Sequence, residues 1–248
     1  MPHREGVTSI AVVCEADADR RIVCDLVDRV LVENVDWIEP VVLDAYREWR
    51  GYSRDDAYLK VHHVFLLARQ RGMRVQGRFG GEPGGPMSHM ARTALVLLAT
   101  CDSPPDAVIV VVDSDDDHQA RRAGLEQARN DRPWPFRTIV IGLAHTKREC
   151  WVLAGYAPAG AAEAERLRAV REELGFDPTT RPELLTAQNE SAKTSAKRVL
   201  RELTGGDVTR EPACWQDPDL QTLRGNGRST GLSDFLEEVE VRLVPLFK

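Results

Sequence analysis

The five cysteines, Cys14, Cys24, Cys101, Cys150 and Cys214, form no CxxC pair and no zinc-type spacing. Odd in number and set mostly in apolar surroundings, they exclude a disulfide-stapled scaffold and read as reduced core residues of an intracellular protein. No apolar stretch approaches the roughly 20 residues that span a bilayer. The short apolar run near the start gives way to Glu15, Asp17 and Asp19, so a soluble, cytoplasmic chain with no membrane partner is expected. Positive charge is in deficit, with 33 Lys and Arg against 39 Asp and Glu and a formal net charge of -6. That excludes a strongly basic nucleic-acid coat and leaves room for local basic patches. The glycine-rich segment Gly77 to Pro86 contains neither GxxxxGK(S/T) nor GxGxxG, which excludes both familiar phosphate-cradling loops and predicts a mobile loop. Internal repeats and linker-like stretches are absent as well.

What is there fits one sizeable core. The 248 residues suffice for one large domain or for one domain with an appended lobe. The expected organisation is an α/β core over 1–158, with a helical C-terminal extension over 159–248 packed on it as a single compact unit.

Three short runs read as buried strands: Thr8 to Cys14, Ala107 to Val112 and Thr138 to Leu143. Between and after them, apolar residues at helical spacing predict helices over Arg20 to Val35, Ala57 to Gly72, Ser88 to Ala99, His118 to Asn130, Ala159 to Gly175, Ser191 to Leu203 and Leu232 to Phe247. Ser88 is the expected N-cap of its helix. A helix is also expected to begin around Trp151, Val152 and Leu153, a short strand at Met73 to Gln76, and an irregular excursion over Gly205 to Gly231. Residues Asp36 to Asp56 read as a short helix plus loop. Arg47, Arg50 and Arg54 lie there among aromatics, a composition that serves either a packed surface helix or nucleic-acid contact. The alternation predicts a mostly parallel sheet covered by helices.

The stretch Asp106 to His118, DAVIVVVDSDDDH, is the most informative. Asp113, Asp115, Asp116 and Asp117 follow a strand within five positions and repel one another unless solvent or a cation separates them. A divalent-metal site and a solvated acidic turn both satisfy that requirement. Acids also follow the other two strands, Glu15 and Asp19 after the first, and Glu149 after the last, where His145 and Lys147 add polar groups. Strand ends of a parallel sheet share one edge, so carboxylates distant in sequence can converge there. Hard oxygen clusters suit Mg2+ or Mn2+, one or two ions, poised on a phosphodiester. His62 and His63, with no carboxylate at ligand spacing, read as structural or surface residues.

A glutamate ending a first strand, followed much later by a strand ending in Asp-x-Asp, resembles the TOPRIM fold of topoisomerases, primases and several nucleases, a Rossmann-like α/β architecture. CEADAD resembles the first motif of OLD-type nucleases and of small TOPRIM-like proteins of bacterial defence, at Glu15 and Asp19; Asp113 and Asp115 match the DxD motif. The resemblance covers roughly residues 8 to 200 and implies further roles for Glu149, in HTKREC, as a second-metal ligand and for Lys197, in SAKRVL, as a phosphate-stabilising cation. The chain departs from the pattern at Ala16, where the family has glycine, and it carries no ATPase segment. The implied activity is metal-dependent cleavage of DNA or RNA, with Glu15, Asp113, Asp115 and Lys197 catalytic, Glu15, Asp19, Asp113, Asp115 and Glu149 on the metal, and Asp117, His145 and Lys147 in support. The runner-up is a non-catalytic metal-binding subunit that acts through a partner such as an ATPase; a homo-oligomer is a further partner the resemblance admits. A primase-like polymerase or a receiver-like phosphoacceptor is a third reading, which the DxD cluster with Glu15 fits less well.

Overall fold

In the computed structural model, which describes residues 6–115 and 117–248, the β-branched runs do become the sheet. Strand β1 (Thr8–Cys14) is buried along its whole length. It is followed by helix α1 (Asp17–Asn34), whose Ile22, Val23, Leu26, Val27, Val30 and Leu31 are buried, the spacing of one helical face. Strand β2 (Arg47–Arg50) pairs parallel with β1, Thr8 opposite Arg47 and Ala11 opposite Arg50. The two-residue strand β3 (Leu59–Lys60) pairs with the end of β1 at Val13 and Cys14.

Helix α2 (Val64–Gln70), a hairpin of β4 (Arg78–Phe79) and β5 (Glu82–Pro83), and helix α3 (Ser88–Ala99) lead into strand β6 (Ala107–Asp113). Strand β6 lies parallel to β1, with Ile10 opposite Ala107 and Val13 opposite Val110. After α4 (His118–Arg129) comes β7 (Thr138–Ala144), which completes a mostly parallel sheet of order β2-β1-β6-β7 with helices about it. The remaining helices are α5 (Arg148–Ala154), α6 (Ala161–Leu174), α7 (Ala196–Thr204), α8 (Ala213–Gln216), α9 (Leu220–Asn226) and α10 (Leu232–Glu238). Among the described residues no helix is long and apolar enough to cross a membrane.

By packing, the chain divides into two units that interleave in sequence. One holds residues up to Val112, Gln119–Gly142 and Glu237–Lys248; the other holds Asp113–His118 and Leu143–Leu236.

Several local expectations are corrected. Residues 36 to 56 contain no α-helix but a 3-10 turn, Leu43–Ala45, and strand β2. The charged side chains of REWR conceal a strand that pairing with β1 creates, and Arg47 meets Asp28 of α1 through two hydrogen bonds of 2.9 and 2.7 Å. Met73 to Gln76 is not a strand; the extended segment comes later, at Arg78–Phe79. The glycine-rich segment carries the β4–β5 hairpin, and Gly85 N–H donates to Gln127 of α4 at 3.0 Å. Gly124 of α4 permits this approach, since a Cβ there would stand 1.8 Å from the Pro86 carbonyl. Ser88 opens α3 but does not cap it; Met87 is the cap, and Ser88 Oγ donates to the Gly85 carbonyl at 2.6 Å. The 205–231 excursion contains the helices α8 and α9. The closing helix is not continuous: α10 gives way to a π-helical turn, Val239–Leu243, and a 3-10 turn, Val244–Leu246, where Pro245 cannot donate to a helical ladder.

Candidate active site at the strand ends

Asp113 is the last residue of β6, and its Oδ1 accepts from the backbone N–H of Arg148 at 2.9 Å. Arg148 opens α5, so the carboxylate satisfies one of the N–H groups that a helix start leaves without an internal partner. The chain beyond Asp113 is held against the segment following β7 by Ser114 N–H to Ala144 O at 2.8 Å and Asp115 N–H to Thr146 O at 3.1 Å. Asp115 adopts a left-handed backbone, φ 47°, a conformation that Asp tolerates better than most residues. Asp117 stands exposed just before α4, where negative charge suits the helix dipole. Asp116 lies outside the described residues.

Ser114 is fully buried and shares a 3.0 Å hydrogen bond with His145 Nδ1. The His145 ring meets the His118 ring edge to face at 5.2 Å. Its backbone N–H donates to Thr230 O, and the same carbonyl accepts from Trp151 Nε1, both at 2.8 Å. Gly231 follows, at φ 77°, and a Cβ there would lie 2.1 Å from the Leu143 carbonyl. A backbone loop from far along the chain thus presses against the strand end, and only glycine allows the approach.

Helix α5 begins earlier than expected, at Arg148, so Glu149 is a buried residue of its first turn. Arg148 reaches Glu149 at 3.2 Å and Glu211 at 3.0 Å. Lys147 is the residue that caps α5. Lys197, in the first turn of α7, pairs with Glu190 at 2.9 Å on the surface. That hydrogen bond raises the Lys197 pKa, against the cost of desolvation, and the charges of Glu149 and Asp113 raise it further. Lys197 therefore lies within electrostatic reach of both Glu149 and Asp113 in the second unit.

Glu15 and Asp19 belong to the first unit. Glu15 is half-buried just past β1. Asp19 Oδ2 accepts from Ala16 N–H at 2.8 Å and so closes the start of α1, while Asp17 pairs with Arg20 at 2.8 Å. Asp19 thus has a structural task, whatever else it does.

Sequence reasoning missed Arg148, Ser114 and the Thr230–Gly231 loop. The adjacency of Arg148 and Glu149 at a helix start was a signal that was there to be read; Gly231 carried none, because its partner carbonyl is remote in sequence. Asp113 and Glu149 have the hard oxygens that a dication such as Mg2+ or Mn2+ prefers, so the donor chemistry fits. Among the described residues, however, there is no ready group of three His, Cys, Asp or Glu side chains poised to hold an ion.

In comparisons with known proteins the chain matches no family model, no curated protein and no solved structure. Fold and site define an α/β protein with a polar, charged cluster at the ends of two strands.

Proposed function

We propose that the protein is a divalent-metal-dependent phosphodiesterase of TOPRIM-like type, acting on DNA or RNA as an effector of bacterial defence. The observation that supports this reading is the ammonium of Lys197 within electrostatic reach of two carboxylates, Glu149 and Asp113, since hard oxygens and a nearby cation suit a phosphodiester and its counter-ion. The motif resemblance adds Asp115 in the same unit, and it also names Glu15 and Asp19, which belong to the first unit, as candidate ligands. When bound, Mg2+ or Mn2+ would make a bound water easier to deprotonate and would neutralise phosphate charge.

The chain's own groups have separable tasks in this reading. The Arg148 N–H holds the Asp113 carboxylate in place before substrate arrives, which spares reorganisation during reaction. Lys197 stabilises charge developing on the phosphate. His145, oriented through Nδ1 by Ser114, keeps Nε2 for proton transfer. Lys147 and Asp117 support the rim.

The test is incubation of supercoiled DNA, single-stranded DNA and total RNA with the protein and its Asp113→Ala variant in Mg2+ or Mn2+. The parent is expected to cut at least one substrate and the variant to be slower by roughly a hundredfold or more. No cleavage of any of them by the parent would sink the reading.

One observation favours a second reading. Arg148 already engages both acids, Asp113 through its backbone N–H and Glu149 through its guanidinium. On that reading the chain is a non-catalytic metal-binding subunit that works through a partner such as an ATPase, and its mark is a partner complex that survives Asp113→Ala.

A further inference from the structure

The first unit contains a cavity of about 360 Å³ walled by Arg74, Arg78, Arg92 and Arg132, with Val75 and Val96 beside them and no carboxylate in its lining. In a chain of net charge -6, four guanidinium groups around one hollow are a local inversion of the overall charge.

How each arginine is held separates structural from available charge. Arg92 is buried, 4% exposed. Its Nη1 donates to the carbonyls of Gln76 and Arg78 at 2.7 and 2.6 Å, its Nη2 pairs with Asp131, and its guanidinium lies 3.4 Å from the Phe79 ring centre. Arg132 pairs with the same Asp131 at 2.8 Å and lies over the Trp134 ring. Burial pushes the Asp131 carboxyl up, but hydrogen bonds from Arg132 and Arg92 outweigh it and its pKa is lowered. One ionised carboxylate therefore serves two arginines. Arg78 donates to the Gly81 carbonyl at 2.9 Å within its own hairpin, a neutral partner that leaves its charge uncompensated. Arg74 is exposed at the rim. Four positive charges face one negative charge, and the buried member is fixed by backbone carbonyls before any ligand arrives.

We propose that this cavity is a binding site for a phosphate group carried by a nucleotide or a nucleic-acid strand. Guanidinium groups match phosphate oxygens in geometry as well as charge, through paired N–H donors. A partly apolar wall and a volume of this size suit a small ligand or one or two residues of a strand. The cavity shares no residue with the strand-end cluster, so it stands whether or not the chain cleaves phosphodiesters.

The test uses the full chain in EDTA, so that binding is read without cleavage. Inorganic phosphate, a 5′-mononucleotide and a fluorescent single-stranded oligonucleotide are titrated against the parent, an Arg74→Ala/Arg78→Ala variant and an Arg168→Ala/Arg171→Ala variant. The second pair lies on exposed α6 and removes the same charge elsewhere. Arg92 is left intact because it holds the Gln76 and Arg78 carbonyls, so its loss would mix a change in folding with a change in binding. The cavity variant is expected to bind roughly tenfold or more weakly than the parent. With the oligonucleotide, its salt dependence of log K should flatten by about 1.4, two phosphate contacts at about 0.7 each on a single strand. The α6 variant should match the parent. Equal binding of mononucleotide and oligonucleotide assigns the site to a free nucleotide, and tighter binding of the oligonucleotide assigns it to a strand. Absence of binding in every arm, or equal losses in the two variants, would overturn the proposal.

Discussion

Burial decides the chemistry of individual side chains here. Cys24, Cys150 and Cys214 are buried, and desolvation pushes their thiols up to about 12, about 11 and about 12; Cys14 is raised as well, again mainly by burial. Since the thiolate is the reactive form, a thiol reagent at mildly alkaline pH is expected to label Cys101, the half-buried one, well before the others. The four buried cysteines should react only after denaturation, and prompt labelling of several in the native state would contradict this. The sequence pointed correctly to unpaired cysteines in apolar surroundings. It also singled out Asp113 and Glu149, but it could not show that Arg148 binds both, because that contact depends on where α5 begins.

At the scale of elements, strands with uninterrupted apolar runs were legible, and those made by pairing alone were not. Strands β1, β6 and β7 follow the runs almost residue for residue, whereas β2 is a strand only because β1 offers it a partner. The loop at Thr230–Gly231 makes the same point for the site. Gly231→Ala places a Cβ against the Leu143 carbonyl at a positive φ, and is expected to cost about 2–4 kcal/mol. Gly225→Ala, exposed within α9 and with nothing within 4 Å, is expected to gain up to about 1 kcal/mol. Urea unfolding of the two variants beside the parent checks both signs; equal effects would show that the close approach at Gly231 does not matter.

At the scale of the molecule, carboxylates that tie distant segments together govern the response to acid. Glu163 accepts from Ala159 N–H at 2.8 Å, from Tyr156 Oη at 3.1 Å and from Arg210 at 3.1 Å, joining α6 to the turn before α8. Burial raises its pKa, but these donors outweigh that and leave it below the ordinary 4.5. A depressed folded pKa contributes stability above the unfolded value, and that contribution is lost as pH falls through the folded one. Glu163→Gln is therefore expected to lower stability near neutral pH and to flatten its decline between about pH 5 and about pH 3. Parallel pH profiles for parent and variant, measured by urea midpoint, would refute this linkage. The α6 segment looked ordinary in sequence, since no pattern within it reveals a partner at Arg210.

Two things were decided by sequence alone: an α/β architecture, because hydrophobic period and β-branching are local properties, and the placement of acids just past the apolar runs. Tertiary structure decided what those acids touch. It made Asp113 a cap for α5 and Asp19 a cap for α1, gave Lys197 a surface partner in Glu190, and gathered four arginines from a loop, a hairpin and two further segments around one hollow. Such outcomes depend on which backbone groups lack partners and which segments fold back against one another, and neither is encoded in the spacing of residues along one stretch.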